Sequence, residues 1–228
     1  TGSDAAREGT RAHELAELKL RHYLFTVDFG KTKYTRAVNK LKKEELWKDE
    51  MDGYTDEYLD YIKSSAMSFP ASPTVRIEER VDFSKYTRPD EKDPVEGTGI
   101  ADCILISGDL IQVIDFKYGK GVPVSAEHNP QLLLYALGAY ESCWLLYGIH
   151  RVKLSIVQPR LDSISEWETS LEDVLNFGAH VKDRAALAWE GKGAFLPGEN
   201  QCRFCRARRQ CRAWSDCNVK QAFQIGEM

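Results

Sequence analysis

Long apolar runs are missing from this chain. None approaches the roughly 20 residues that a helix needs to cross a bilayer, and no signal-peptide pattern stands at its front. The first absence points away from a membrane-spanning helix. A large excess of either charge is missing too, since the net charge is -4 over 228 residues. The molecule as a whole therefore has no basic signature, and an anionic partner would have to be met by a local patch. Cysteine is scarce outside one stretch: of six, four are Cys202, Cys205, Cys211 and Cys217. A disulfide framework would spread them, so the clustering favours a metal or iron–sulfur site in a reducing compartment. The chain opens at Thr1 rather than Met, already close to a helix, and residues upstream of it are expected.

What is present, 43% hydrophobic and 29% charged residues, suits one sizeable globular domain or a domain with an appendage. Its most informative stretch runs from Gly97 to Lys117. Two apolar, β-branched runs flank Gly108-Asp109, which is a hairpin signal. A two-residue loop there sets Ser107 opposite Leu110, and the same register sets Asp102 opposite Asp115. Strand periodicity adds Lys117 to that face, continuing a stripe of Ile104, Ile106, Ile111 and Val113. Facing carboxylates at the end of an apolar stripe repel unless a cation lies between them. Hard oxygen ligands suit magnesium or manganese.

Around this hairpin the pattern predicts alternating elements. Residues 5–24 read as an amphipathic helix with Ala12, Leu15, Ala16 and Tyr23 on its core stripe and Ser3 or Asp4 as cap. His13 and Glu17 share one of its faces, and Gly9 suggests close approach of another backbone. Lys31, Lys33, Arg36, Lys40, Lys42 and Lys43 either track phosphates or form a solvated face. A helix from Glu44 to Met67 carries Trp47, Tyr54, Tyr58 and Tyr61 as core residues. Thr74–Phe83 reads as a strand bearing Glu78 and Glu79, either within reach of the site, and Ser84–Glu96, with Pro89 and Pro94, as a polar loop. Asn129-Pro130 caps a buried helix that starts with Gln131 and Tyr135 one turn apart. Arg151–Gln158 is a further strand, and Ile164–Trp189 is expected to be one long helix. The sum is an α/β fold with a mixed sheet.

In the tail, C-x2-C-x5-C-x5-C is a soft-ligand set for an iron–sulfur cluster or zinc. Arg203, Arg206, Arg208, Arg209 and Arg212 are interleaved with it, to offset thiolate charge and reach phosphates or simply to solvate the loop.

Taken in order, Gly9-Thr10-x-x-His13, Gly99-x-Ala101-Asp102, Asp115-x-Lys117 and Gln131-x3-Tyr135 resemble the RecB-type branch of the PD-(D/E)XK nucleases. The cysteine tail resembles the iron–sulfur appendage of AddB and CRISPR-adaptation nucleases, and the style is similar to that of phage and prophage proteins. The resemblance implies a restriction-endonuclease-like mixed sheet flanked by helices (1–195, with a helical insertion at 30–70) and a cysteine-rich tail (196–228). It implies a Mg²⁺- or Mn²⁺-dependent deoxyribonuclease, an exonuclease in phage recombination or DNA processing, working on DNA with a recombination or helicase partner in the host cytoplasm. His13, Asp102, Asp115 and the Phe116 carbonyl would be metal ligands, and Asp102, Asp115 and Lys117 the catalytic set. Gln131 and Tyr135 would position the lysine and contact DNA. Asp115 stands where the family usually has Glu. Cys202, Cys205 and Cys211 match the family's terminal three cluster cysteines, and the fourth ligand is either Cys217 or a cysteine upstream of Thr1. Two other readings stand beside the enzyme: a non-catalytic DNA-binding or recombination module on the same fold, and a structural adaptor built on zinc or a cluster.

Overall fold

The computed structural model describes residues 4–88, 96–203 and 205–225. The chain divides into two compact units, Thr1–Ala185 and Ala186–Met228. The first opens with helices α1 (Asp4–Leu24), α2 (Lys31–Leu41) and α3 (Glu50–Ser68). Strand β1 (Thr74–Asp82) and a single helical turn, α4 (Ser84–Thr87), follow. The hairpin β2 (Thr98–Ser107) and β3 (Leu110–Phe116) comes next, then α5 (Pro130–Glu141), β4 (Arg151–Gln158), β5 (Ser163–Ser170) and α6 (Leu171–Trp189). Five strands make one mixed sheet in the order β1-β2-β3-β4-β5. β3 and β4 are parallel and every other neighbouring pair is antiparallel. α5 supplies the crossover that parallel neighbours require.

The hairpin register is the one the loop length predicts. Ser107 pairs with Leu110, and the ladder runs to Cys103 opposite Ile114, one step short of Asp102 and Asp115. Gly108 takes φ +59° while Asp109 stays out of the left-handed region, the arrangement of a type II′ turn with Gly first. Both faces of the sheet are covered. Ile104, Ile106, Ile111 and Val113 pack with Leu132, Leu133, Ala136 and Leu137 of α5. Cys103, Leu105, Ile114 and Phe116 pack with Leu15 and Leu20 of α1 and Tyr58 and Ile62 of α3. Strands covered on both sides lose their alternation, which is why β2 reads as a continuous apolar run.

Alternation also inverts within two strands. Ile77 belongs to the α1/α3 side and Val81 to the α5 side, although an even step separates them. Leu105 and Cys103 face α1/α3, whereas Ala101 faces α5. The switch in β1 falls at Glu78, whose φ is +50°. The β1–β2 ladder keeps one register on either side of it, from Ile77 opposite Cys103 to Glu79 opposite Ala101, which sets Glu78 level with Asp102. Strict alternation, which would hold Asp102 on the Ile104 stripe, breaks at this level.

Several expectations need correction. The helix expected from Glu44 begins at Glu50, because Leu46 takes φ +71° and interrupts the chain. Ile164–Trp189 is not one helix: β5 occupies Ser163–Ser170, with alternating exposure along its length, before α6. The Ser170 hydroxyl accepts from Asp173 N–H at 3.0 Å and donates to the Asp173 carboxylate at 2.7 Å, a helix-start pattern legible in Ser170-x-x-Asp173. Tyr23 lies half exposed under the Lys63 ammonium rather than in the core. Gly9 faces open space, so no close approach explains it. The first four residues of the Ser84–Glu96 loop are helical, and Pro89 and Pro94, like Ser3, lie outside the described residues.

The second unit contains α7 (Glu199–Cys202), a 3-10 turn at Arg208–Gln210 and α8 (Arg212–Ile225). None of the six cysteines is joined in a disulfide. Cys202 is buried, Cys211 and Cys217 are half-buried and Cys205 is exposed. The Arg208 guanidinium lies over the Trp214 ring, 4.5 Å from its centroid.

Candidate metal centre

Helix α1 reaches the hairpin through its buried stripe. Ala12, Leu15, Ala16 and Leu20 bury one face of the helix, and His13 beside that stripe is carried to the end of β2 and β3. Its ring meets the Phe116 ring edge-on at 5.2 Å. Its Nδ1 lies 3.2 Å from Asp102 Oδ1. The other oxygen, Asp102 Oδ2, accepts the Phe116 backbone N–H at 2.7 Å. One carboxylate thus ties the imidazole of α1 to the backbone of β3. Glu17, one turn along the same helix face, accepts instead from Arg21 Nε at 2.6 Å.

Asp115 is the most buried acid of the group, 4% exposed. Lys117 Nζ lies 2.9 Å from its Oδ2 and 3.2 Å from its Oδ1, and only the Oδ1 contact has hydrogen-bond geometry. Asp115 Oδ2 is therefore a buried acceptor without a hydrogen bond among the described residues. The same lysine donates to Gln131 Oε1 at 3.3 Å, and Gln131 Nε2 donates to the Tyr135 hydroxyl at 2.9 Å. Asn129 holds the start of α5 in place, its side chain accepting from Gln131 N–H at 3.1 Å and Leu132 N–H at 3.2 Å. Gly99 makes room for Tyr135, because a Cβ at residue 99 would overlap the ring. Asp115, Lys117, Gln131 and Tyr135 form one polar chain from β3 to α5, while Asp102 and His13 join β2 to α1.

The electrostatics are those of crowded acids. Burial, then the charge of Asp102, pushes Asp115 above the usual carboxylate range, against the pull of Lys117 and His13. Burial, then Asp102 and Glu17, pushes Glu78 up to about 7. Burial opposes charge on His13, but the bond to Asp102 and the fields of Asp102, Asp115 and Glu78 raise its pKa on balance. Among the described residues, one group has the spacing of a metal site: His13, Glu78 and Asp102, with one ligand atom from each within 4.8 Å of the others. The first strand's contribution was the least legible. Glu78 and Glu79 look alike in sequence, and the left-handed backbone that turns Glu78 to the site leaves no local mark.

Of the six residues expected at the hairpin end, His13 and Asp102 meet on the α1 side, Asp115, Lys117, Gln131 and Tyr135 form the chain toward α5, and the two groups are linked by the charge of Asp102 felt at Asp115. Phe116 has its ring in the core and its N–H on Asp102. The four tail cysteines belong to the second unit. Lys31, Arg36, Lys40 and Lys43 line a shallow depression on α2 and the turn after it. Among the described residues no helix is long and apolar enough to cross a membrane.

A family model described as "Protein of unknown function (DUF2800)" matches residues 1–227, and the chain belongs to that family. Among solved structures the chain is similar to one titled "Crystal structure of SSO0001", at 14% identity over 87% of this chain and 85% of that one, with a TM-score of 0.37.

Proposed function

We propose that this member of the DUF2800 family hydrolyses DNA phosphodiesters with the help of a divalent cation, on a restriction-endonuclease-like core. The observation that carries the reading is the pairing of two acids at one hairpin end. Asp102 is bound to His13, and Asp115 bears a lysine two residues along. The residues fit a cation: His13, Glu78 and Asp102 each bring a ligand atom within 4.8 Å of the others, and the charge of Asp102 disfavours charge on the buried Asp115, which Lys117 alone offsets only in part. His13, Asp102 and Asp115 would hold Mg²⁺ or Mn²⁺, joined by the Phe116 carbonyl as the family resemblance implies. Such an ion offsets charge on a phosphodiester and acidifies water.

The chain's own residues do the rest. Lys117 offers a mobile positive charge to a phosphate oxygen once a cation relieves it of neutralising Asp115. Gln131 holds that ammonium on the α5 side, and Tyr135 holds Gln131. The shallow basic depression on α2 supports contact with a phosphate backbone. For the second unit, four cysteines over a short span support a metal- or cluster-bearing tail, and the resemblance to AddB and CRISPR-adaptation nucleases favours iron–sulfur over zinc.

The test is cleavage of end-labelled single- and double-stranded DNA in Mn²⁺ by an anaerobic preparation. Asp115→Ala and Lys117→Ala should each lower the rate by about 10³ or more without loss of the fold. Wild-type turnover in either variant would defeat the assignment. Salt-sensitive DNA binding with no released nucleotides would support the non-catalytic module instead.

A further inference from the structure

Glu78 is a glutamate where the backbone favours glycine. Its φ of +50° is uncommon for a residue with a Cβ and is typically maintained at a cost of about 1–3 kcal/mol. It stands level with Asp102 in the β1–β2 ladder, and among the described residues no Lys or Arg pairs with its carboxylate. Its oxygen instead joins His13 and Asp102 in the group whose ligand atoms fall within 4.8 Å of one another. One strand further on stands a third acid, Asp115, whose side chain is 6% exposed and whose Oδ2, without a hydrogen bond among the described residues, lies 2.9 Å from the Lys117 ammonium.

We propose that Glu78 is a ligand of the cation, from a strand that none of the four sequence motifs touches, and that the His13–Glu78–Asp102 set selects Mn²⁺ over Mg²⁺. Three strands then offer acids at one level: Glu78 on β1, Asp102 on β2 and Asp115 on β3. Magnesium favours oxygen ligands and keeps most of its water, whereas an imidazole nitrogen in the set suits a transition metal. The inversion of the strand at Glu78 has a function on this account, since it turns a carboxylate toward α1 that regular alternation would direct elsewhere. The inference rests on the metal centre of the proposed function but not on cleavage, because it concerns ion binding by the free protein.

The experiment is titration of the metal-free full chain with Mn²⁺ and with Mg²⁺, followed by calorimetry and by the Mn²⁺ electron paramagnetic resonance signal. Wild type should bind Mn²⁺ at least 10-fold more tightly than Mg²⁺. Glu78→Gln, which keeps the shape, should weaken Mn²⁺ binding 10-fold or more. Glu78→Gly should lose the same affinity while melting no lower than wild type without metal, because Gly relieves the left-handed backbone. That pairing separates a ligand from a structural residue. Equal Mn²⁺ affinity in wild type and Glu78→Gln, with Asp102→Asn weakened, would overturn the role of Glu78 and leave the metal centre standing. No Mn²⁺ binding by wild type would overturn both. Mn²⁺ binding that depends on Glu78, without DNA cleavage, would sustain this inference and remove the nuclease.

Discussion

His13 Nδ1 and Asp102 Oδ1 lie 3.2 Å apart, joining the first helix to the second strand. The contact raises the imidazole pKa, so its contribution to stability is fully present below the ordinary value of 6.5 and is lost as pH rises through the higher folded value. Glu78 acts in the same direction. It holds a proton in the folded state up to about pH 7 that the unfolded chain releases near 4.5. The folded state binds more protons over that window, so stability falls as pH rises through it. Asp115, also raised, adds to the fall. The metal-free protein should therefore melt higher at pH 5 than at pH 8, by roughly 2–4 °C for each kcal/mol involved. Saturating Mn²⁺ should flatten or reverse the trend, because the cation binds the ionised acids. Thermal melts across pH in a chelator, and again in Mn²⁺, measure both; a flat profile in the chelator would show that these groups do not sense one another.

Gly99 and Tyr135 are coupled by space. Gly99→Ala puts a methyl group into the tyrosine ring and should destabilise the protein by about 1–3 kcal/mol. In a Tyr135→Ala background the same substitution should cost much less, because the clash is gone. A double-mutant cycle by urea unfolding reads that coupling, and additive costs would count against the close approach.

Asn129 caps α5 through two backbone N–H groups. Asn129→Ala should cost about 0.5–2 kcal/mol, and Asn129→Asp much less. Because the first of those groups belongs to Gln131, the loose helix start should also loosen the hold on Lys117. Cleavage should then fall more than the unfolded fraction explains. Activity and stability measured on the same preparation separate the two effects.

The tail makes its own prediction. If the four thiols hold a cluster, an anaerobic preparation should be coloured and carry iron, and Cys202→Ser or Cys211→Ser should remove it. Iron retained in Cys217→Ser alone would mean that Cys217 is not the fourth ligand. Zinc without iron in the wild type would favour the alternative metal.

The hairpin end was readable before any coordinates because strand pairing is local. A two-residue turn fixes the register, and register fixes which residues share a level. The helix beginning at Asn129-Pro130 was readable for a similar reason, since a cap and a fixed φ act on their nearest neighbours. The fifth strand was hidden by polarity. An edge strand with Glu166, Glu168 and Ser170 on its open face and serines and a threonine on the other lacks the apolar runs of the core strands, and the helix behind it drew the assignment forward.

The order of motifs, the acid pair across the turn and the soft-ligand spacing of the tail are properties of the chain alone, because each depends on residues close in sequence or on a register set by one short loop. Three things were left to the assembled fold: the choice of Asp102 rather than Glu17 as partner of His13, the bridge from Lys117 to Gln131, and the turning of Glu78 rather than Glu79 to the site. Each depends on how separate elements meet, or on a backbone inversion that only packing on both faces of the sheet stabilises. No local pattern of residue types encodes such distances.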